Sequence, residues 1–317
     1  MSGRVPFSIL TGGLGSGKTT LLARLLRHPG MARTGVVVNE FGEIGLDAAL
    51  LGHAEDHTVV LAGGCVCCAA TADFVSAVRS LEARAGSLSR VMIETSGLAD
   101  PVPILHALAV DPHLAAGYVP GSVIATVDAL QGERELGRNK LAVRQVAVAD
   151  RVIVTKSDIA APRAVLRLRQ RLQEINPAAE VLVVNHGDAT PEQVFGGLPD
   201  HPRTPPAEGH AHHHHGPGPR AFCLTREDAV DWQTFGPALE QLVTALGDRL
   251  LRVKGLLHVA GSDQPLVLQG IRGFLHPPVP LAAWPSADRL SRIVFIAEDV
   301  EEAAIRAAGR ALGGTLE

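Results

Sequence analysis

The chain has 317 residues, 46% of them apolar and 20% charged, a balance that indicates folded domains rather than disorder and leaves room for two of them. Its 29 basic and 33 acidic side chains give a net charge of −4 without a basic cluster, which argues against nucleic acid as the main partner. No uncharged apolar run approaches the roughly 18 residues that a membrane helix needs, so we predict neither a membrane span nor a signal peptide.

Short apolar runs alternate with helical patterns from residue 5 to about residue 195. Most runs are continuous in Val, Ile and Leu, which is typical of parallel strands buried on both faces. The predicted strands are Val5–Thr11, Gly35–Glu40, Thr58–Leu61, Arg90–Thr95, Ser122–Val127, Arg151–Thr155 and Val181–Val184. The predicted helices include Lys18–Arg27, Ala72–Ala85, Asn139–Ala149 and Arg163–Ile175. The alternation predicts an α/β fold, a doubly wound and mainly parallel domain over residues 1–196.

The pattern breaks at residues 197–219, where prolines, glycines and the histidines of His210–His215 indicate an exposed linker. Beyond it, residues 220–317 predict a small α+β domain with a largely antiparallel sheet. Its predicted strands are Arg220–Thr225, Leu250–Ala260, Pro265–Phe274 and Leu290–Ala297, and its predicted helices are Trp232–Leu246 and Val300–Leu312.

A phosphate-binding loop follows the first predicted strand. Gly12–Thr19 reads G-G-L-G-S-G-K-T, which matches G-x-x-x-x-G-K-[ST] between a strand and a helix. Glycines allow successive amide groups to turn toward phosphate oxygens, and the helix N-terminus adds partial positive charge. Lys18 would reach the β- and γ-phosphates and Thr19 would supply a hydroxyl to Mg²⁺. The predicted binding residues of the loop are Gly12, Gly13, Gly15, Ser16, Gly17, Lys18 and Thr19. A glycine-rich turn that binds no nucleotide is the alternative, and the lysine, the hydroxyl and the flanking elements argue against it.

An acidic residue ends the strand that precedes E-T-S-G. Glu94 could hold Mg²⁺ or its water shell there, and Gly97 could sense a γ-phosphate through its amide. Lys18, Thr19 and Glu94 are therefore the predicted catalytic residues. The residue that orients the attacking water is not identified, although Glu43 and Asp47 are acidic and follow the second strand.

The segment T-K-S-D after the strand Arg151–Thr155 is similar to the N-K-x-D element with which GTPases read guanine. An aspartate at position 158 can accept from both the ring N–H and the exocyclic amine of guanine, a pair that adenine does not present. Thr155 replaces the usual Asn, which weakens the expected bracing of the phosphate loop. Alternatively, Lys156 and Asp158 only cap a helix that begins near Pro162.

Three of the four cysteines, Cys65, Cys67 and Cys68, lie within four positions beside a double glycine. Adjacent thiols of this kind indicate metal ligation in a reducing compartment, by default the cytoplasm, rather than an ordinary disulfide. Thiolates favour Zn²⁺, Cu(I) or iron–sulfur centres. Three small buried apolar side chains are the alternative reading.

The remaining ligands of a tetrahedral site would come from Glu40, from a histidine such as His113 or His106, or from water. Cys223 stands alone in a predicted strand and is expected in the core. The His210–His215 cluster either collects metal at low specificity or is a polar linker.

Taken together, the motifs resemble the CobW family of metal-handling GTPases. They are G-G-L-G-S-G-K-T-T-L-L, N-E-F-G-E, G-G-C-V-C-C, E-T-S-G-L-A-D-P and T-K-S-D, in that order. Arg252–Leu257 and Leu268–Gly270 look like the small second domain of that family. The chain is most similar to the YjiA-like branch, with which it shares T-K-x-D, Ala149–Arg151 and His186–Asp188.

The resemblance implies that the residues Gly12–Thr20 bind phosphates; Thr20 is thereby added to the predicted binding residues. It also implies that Lys156 and Asp158 read guanine. The three cysteines would form a C-x-C-C metal motif, with Glu40 as a further member of the metal site. The resemblance further implies GTP, Mg²⁺ and Zn²⁺ or Co²⁺ as ligands, with GTP-dependent transfer of the metal to a client metalloprotein or cofactor pathway. A metal- or nucleotide-dependent oligomer is a further expectation.

The sequence is also compatible with three other functions. They are a non-catalytic metal-binding or storage protein in which nucleotide is a structural ligand, an ATP-dependent kinase, and a cobalt-handling factor of cobalamin synthesis.

Overall fold

The computed structural model describes residues 4–39, 58–61, 70–186, 188–196, 218–285 and 288–316. The chain divides into two compact units, the first formed by Met1–Arg171 and Val181–Gly197 and the second by Leu172–Glu180 and Leu198–Glu317. Within the described residues, no helix combines the length and the apolar character needed to cross a bilayer.

The first unit contains a seven-stranded sheet in the order β3-β2-β4-β1-β5-β6-β7. Its strands are β1 (Val5–Gly12), β2 (Thr34–Asn39), β3 (Thr58–Leu61), β4 (Arg90–Glu94), β5 (Tyr118–Asp128), β6 (Arg151–Thr155) and β7 (Glu180–Val183). The pairings among β1 to β6 are all parallel. The predicted strands and the parallel sheet are confirmed, because fully buried strands leave their Val, Ile and Leu runs readable in the sequence.

Helices cover both faces of this sheet. They are α1 (Lys18–Leu26), α2 (Ala70–Ala85), α3 (Val102–Val110), α4 (Pro112–Gly117), α5 (Gly132–Arg138), α6 (Lys140–Ala147), α7 (Pro162–Ile175) and α8 (Pro191–Phe195), with a short 3-10 turn at Pro29–Met31. On one face, Leu10 of β1 belongs to the same buried cluster as Leu22 of α1. On the other, Phe7 meets Phe74 of α2 edge to face, with ring centroids 5.5 Å apart. Phe7 and Leu10 of β1, three positions apart, therefore pack against opposite layers, as a doubly wound sheet requires.

The second unit contains an antiparallel sheet in the order β11-β10-β9-β13-β8-β14, with β12 paired to β10. The strands are β8 (Arg220–Arg226), β9 (Leu250–Leu257), β10 (Leu266–Ile271), β11 (Phe274–Leu275), β12 (Val279–Pro280), β13 (Ser291–Ala297) and β14 (Thr315–Leu316). The helices α9 (Trp232–Leu246) and α10 (Glu302–Ala311) follow β8 and β13, and a 3-10 turn spans Gly247–Arg249. Val253, Phe295, Leu239 and Ile305 belong to one core cluster, which joins the sheet to both helices. The predicted α+β class is confirmed.

Candidate functional site

The loop between β1 and α1 turns sharply at glycine. Gly12, Gly15 and Gly17 have φ values of 137°, 70° and 92°, in the region that favours glycine. At Gly12 a Cβ atom would lie 2.3 Å from the Thr126 carbonyl oxygen, so a side chain has no room. Gly13 and Leu14 complete the turn, and the Leu14 side chain is exposed. The backbone geometry is thus that of a loop curled in front of a helix N-terminus.

Lys18 is buried in the first turn of α1, and its ammonium group folds back over the loop. Nζ donates to the carbonyl oxygens of Gly12 and Gly13, each at 3.0 Å. These contacts fix a positive charge beside the curled backbone. Thr20, two residues further along the helix, is exposed.

Thr19 and Glu94 are joined directly: the Thr19 hydroxyl donates to Glu94 Oε1 at 2.7 Å. Glu94 ends β4 and is 2% exposed, and the parallel register Leu10↔Glu94 aligns it with the end of β1. The structure therefore brings the three predicted catalytic residues, Lys18, Thr19 and Glu94, to the carboxyl ends of two neighbouring strands.

The segment after Glu94 lies against the phosphate loop. Gly97 approaches so closely that a Cβ on it would lie 2.6 Å from the Leu14 amide nitrogen. Gln145 of α6 holds the same segment from the other side, since its Nε2 donates to the Ala99 carbonyl at 3.1 Å. The segment is thus held between the loop and α6.

Lys156 and Asp158 follow β6 at the same edge. Lys156 has φ 55° and its ammonium lies 2.5 Å from Asp128 Oδ2 at the end of β5. Asp158 is 3.6 Å from His186 Nε2. Asp128 and His186 were not predicted as site residues. Asp128 could have been found, because a polar residue ending a parallel strand is at the edge where ligands bind.

Thr155 contacts the phosphate loop despite replacing the expected Asn. Its hydroxyl donates to the Ser16 carbonyl oxygen at 2.7 Å. The expectation of weak bracing assumed that bracing needs the longer amide, but Gly17 lies close enough above Thr155 for the short side chain to reach the backbone.

His113 lies at the opposite edge of the sheet. Its Nε2 donates to Glu82 Oε2 at 2.9 Å, and the Tyr118 hydroxyl donates to Glu82 Oε1 at 2.7 Å. Tyr118 begins β5 beside Val5, the first residue of β1, which defines the amino edge. Burial, together with the bonded Glu82 carboxylate, raises the pKa of Tyr118. The structure thus pairs the predicted ligand His113 with an acid and separates it from Glu94.

The other predicted metal ligands, Cys65, Cys67, Cys68 and Glu40, lie outside the described residues, as do Glu43, Asp47 and His210–His215. In the part of the chain that the structure describes, no group of three or more His, Cys, Asp or Glu side chains could hold a metal ion. Cys223 is fully buried in β8, in agreement with its predicted place in the core.

Comparison with known families agrees with this arrangement. Residues 6–183 match the CobW/HypB/UreG nucleotide-binding domain, and residues 220–312 match the cobalamin synthesis protein cobW C-terminal domain. The chain belongs to the CobW family. The predicted resemblance is therefore confirmed over both parts of the chain.

Individual relatives extend over nearly the whole length. The zinc chaperone YjiA of Escherichia coli K12 is 31% identical, with 96% of this chain and 97% of YjiA aligned. The zinc chaperone CobW of Pseudomonas aeruginosa is 30% identical over 95% of this chain and 90% of the relative. The crystal structure of the Zn(II)-bound YjiA GTPase from E. coli superimposes with a TM-score of 0.74 at 26% identity, covering 98% and 99% of the two chains.

Proposed function

We propose that this protein is a slow GTPase that binds a transition metal, Zn²⁺ or Co²⁺, and transfers it to a client metalloprotein. The observation that carries the nucleotide half is the convergence of Lys18, Thr19 and Glu94 at one edge of the sheet, with the base-reading segment held to the same loop through Thr155. The metal half is supported by the C-x-C-C motif and by family membership, since the relatives are named zinc chaperones.

The described residues fit a nucleotide with Mg²⁺. Thr19 and Glu94 present two oxygen donors 2.7 Å apart, and hard oxygen ligands are those that Mg²⁺ prefers. When bound, Mg²⁺ neutralises charge on the β- and γ-phosphates. Lys18 would place its ammonium beside the same phosphates while its carbonyl contacts hold it in position. These three residues would thus bind and orient the phosphoanhydride.

Guanine would be read by Asp158, whose carboxylate accepts from the ring N–H and the exocyclic amine. Two positions before Asp158, Lys156 forms an ion pair with Asp128, the last residue of β5. Ser157 Oγ, between them, donates to the Val184 carbonyl oxygen at 2.9 Å. Asp158 therefore directly follows two residues whose side chains are held by polar contacts, which favours selective recognition.

The strand register supports a metal site near the catalytic carboxylate. Val38 of β2 pairs with Glu94, and Asn39 pairs with Leu61 at the end of β3. β2 and β3 therefore end at the edge that carries Glu94, and in the sequence Glu40 follows β2 and the cysteines follow β3. We propose Cys65, Cys67, Cys68 and Glu40 as the ligands; His113 is left out because it is paired at the other edge.

Nucleotide state would control metal affinity. Segments that follow β2 and β4 are those a γ-phosphate can order, and the cysteine motif lies between them in the chain. A coupling free energy of about 1–3 kcal/mol would change metal affinity about 5–150-fold, enough for handover but not for complete release. A client would therefore supply the final ligands. The thiolate chemistry favours a reducing, cytoplasmic setting.

The decisive measurement is the Zn²⁺ affinity of the full chain with GDP and with a non-hydrolysable GTP analogue, by competition with a chelator. We expect a difference of at least about fivefold that disappears in the Cys65, Cys67, Cys68→Ser triple variant. Cys223→Ala is the matched control, because it removes a cysteine that lies in the core of the other unit. Equal affinities in both nucleotide states would rule out coupling.

Measurements of GTP turnover distinguish the proposed GTPase from a storage protein and from an ATP-dependent kinase. We expect the protein to hydrolyse GTP, and we expect added ATP not to inhibit this reaction. Tight nucleotide binding without hydrolysis would favour the storage protein, and effective competition by ATP would favour a kinase. Sedimentation with each nucleotide and metal tests the proposed ligand-dependent oligomer.

A further inference from the structure

Hydroxyl side chains form a buried hydrogen-bonded series beneath the phosphate loop. Thr11 lies one residue before the end of β1, Thr95 follows β4, Thr126 lies near the end of β5 and Thr155 ends β6. These strands are neighbours in the order β4-β1-β5-β6. Ser16 is the member that belongs to the loop. All five residues are at most 5% exposed. Buried hydroxyls of this kind must find partners inside the protein, so their pairing defines a specific arrangement.

Ser16 is held at two points. Its hydroxyl lies 2.6 Å from the Thr126 hydroxyl, and its carbonyl oxygen accepts from the Thr155 hydroxyl at 2.7 Å. Thr126 also lies 3.4 Å from the Thr11 carbonyl oxygen, which can only accept. Either hydroxyl can donate in the Ser16–Thr126 bond, and Thr126 donates to the Thr11 carbonyl oxygen when Ser16 supplies the proton of that bond.

Ser16 stands between Gly15 and Gly17, whose φ values of 70° and 92° make this part of the loop conformationally permissive. The two hydrogen bonds of Ser16 therefore hold the loop between two glycines, where the backbone itself is least restricted in φ and ψ. Thr126 also fills the space beside Gly12, since a Cβ there would lie 2.5 Å from Thr126 Oγ1. One side chain therefore contacts the loop near its start and near its end.

The series continues to the residue that follows Glu94. Thr95 Oγ1 donates to Thr11 Oγ1 at 3.0 Å, and Thr95 directly follows Glu94. Hydrogen bonds thus connect the phosphate loop to Thr95 through Thr126 and Thr11, and to Thr155 directly.

We propose that Thr126 is a positioning residue for nucleotide binding, acting through Ser16 to hold the phosphate loop in its curled form. The proposal rests on the proposed nucleotide-binding function. A loop organised in advance loses less conformational freedom on binding, so removing the Thr126 hydroxyl should weaken nucleotide affinity. Turnover of bound GTP should change less, because the hydrogen bonds described for the Thr126 hydroxyl go to Ser16 and to the Thr11 carbonyl oxygen, and neither of these is a predicted catalytic residue.

The test compares Thr126→Val, which removes the hydroxyl and keeps the shape, with Thr126→Ser, which keeps the hydroxyl. Thr34→Val is the matched control: Thr34 is a buried threonine at the amino end of β2, and its hydroxyl bonds to the Met31 sulfur. GDP affinity by calorimetry, unfolding temperature, and KM and kcat for GTP are measured on each full-length protein.

We expect Thr126→Val to weaken GDP binding about five- to tenfold and to raise KM similarly, with kcat changed less than about threefold. Thr126→Ser should restore affinity to within about twofold. If the hydroxyl only stabilises the fold, both valine variants would lose stability while binding GDP equally, and that result would overturn the proposal. A wild-type protein that does not bind GDP would overturn the proposed function as well.

The single variant Ser16→Ala keeps the test decisive if Thr126→Val folds poorly, and a double-mutant cycle of the two extends the test if both fold. Alanine leaves the Ser16 backbone amide in place and removes only the side-chain bond. The single variant should itself lose about five- to tenfold in GDP affinity, and adding Thr126→Val should cost little more. Unchanged affinity in Ser16→Ala, or fully additive losses, would contradict a role through the Ser16–Thr126 bond.

Discussion

The Thr19 hydroxyl and the Glu94 carboxylate are hydrogen-bonded at 2.7 Å, which joins the first turn of α1 to the end of β4. The pair contributes one neutral and one acidic oxygen in a partly buried position. Glu94→Gln keeps an acceptor for Thr19 and removes the charge. We expect kcat for GTP to fall about a hundredfold, with GDP affinity in EDTA unchanged, because the charge matters only to Mg²⁺ and the reacting phosphates.

Glu135→Gln, an exposed acid on α5, is the control for the loss of one negative charge. The comparison is a Mg²⁺ titration of GTP turnover in both variants. A Glu94→Gln protein with the same Mg²⁺ dependence and rate as the control would remove Glu94 from the catalytic set.

Lys18 supplies the positive charge of the phosphate loop. Lys18→Ala should reduce GTP hydrolysis to background, since it removes the ammonium that the bonds to the Gly12 and Gly13 carbonyl oxygens hold beside the loop. Folding without nucleotide should survive, with the unfolding temperature measured by calorimetry. The control is Lys140→Ala, which removes an exposed lysine in the first turn of α6 and should hydrolyse GTP normally. Undiminished turnover in Lys18→Ala would refute the assigned site.

Asp158 should determine the choice of base. Asp158→Asn replaces one acceptor oxygen by an amide donor, which suits the carbonyl that xanthine has in place of the guanine amine. We expect GDP affinity to fall about a hundredfold, as two hydrogen bonds to a charged group are disrupted, and xanthosine diphosphate affinity to rise. Competition binding measures both. Asp188→Asn, exposed two residues beyond His186, should retain the preference for guanine, and an equal effect in both variants would argue against base reading.

His276 should make the stability of the protein depend on pH. Burial, and then the positive charge of Arg252, lower its pKa from 6.5 to about 4. A lowered histidine pKa means that the unfolded chain binds the proton more readily, so this contribution to stability is complete above about pH 6.5 and is lost as the pH falls toward about 4.

Urea unfolding at several pH values between 4 and 7.5 checks this expectation. The wild type should lose more stability on acidification than His276→Gln, which cannot titrate. His106→Gln, an exposed histidine of α3, is the control and should follow the wild type. Parallel losses in wild type and His276→Gln would contradict the assignment.

Much of the first unit is predictable because its strands are buried on both faces. Helices α3, α4 and α5 were not predicted, and α3 shows why: V-P-I-L-H-A-L-A-V is apolar on almost every side and lacks the polar face that marks a helix. The phosphate loop was found because its spacing reflects local backbone geometry. The Ser16–Thr126 bond joins positions 110 residues apart, and only the sheet register brings them together.

The same reasoning explains His113. Its residue type suits a metal ligand, but the sequence does not indicate which edge of the sheet a loop occupies. Pairing of Tyr118 with Val5 places that loop at the amino edge, where Glu82 takes the ring N–H. Thr126 was overlooked for a related reason, since a threonine in an apolar run is indistinguishable from a β-branched core residue.

The register of β3, β2 and β4 determines how far apart the ends of β3 and β4 lie. Leu61 and Glu94 end strands that are two places apart in the sheet, and neighbouring strands are about 4.8 Å apart, so their backbones are separated by about 10 Å. Metal–sulfur bonds tolerate length changes of only about 0.2 Å. Under the proposed function, a small shift at the phosphates would have to cross only this span to reach the segment that carries the cysteine motif. The proposed coupling would then require no domain movement, only a small displacement within one sheet.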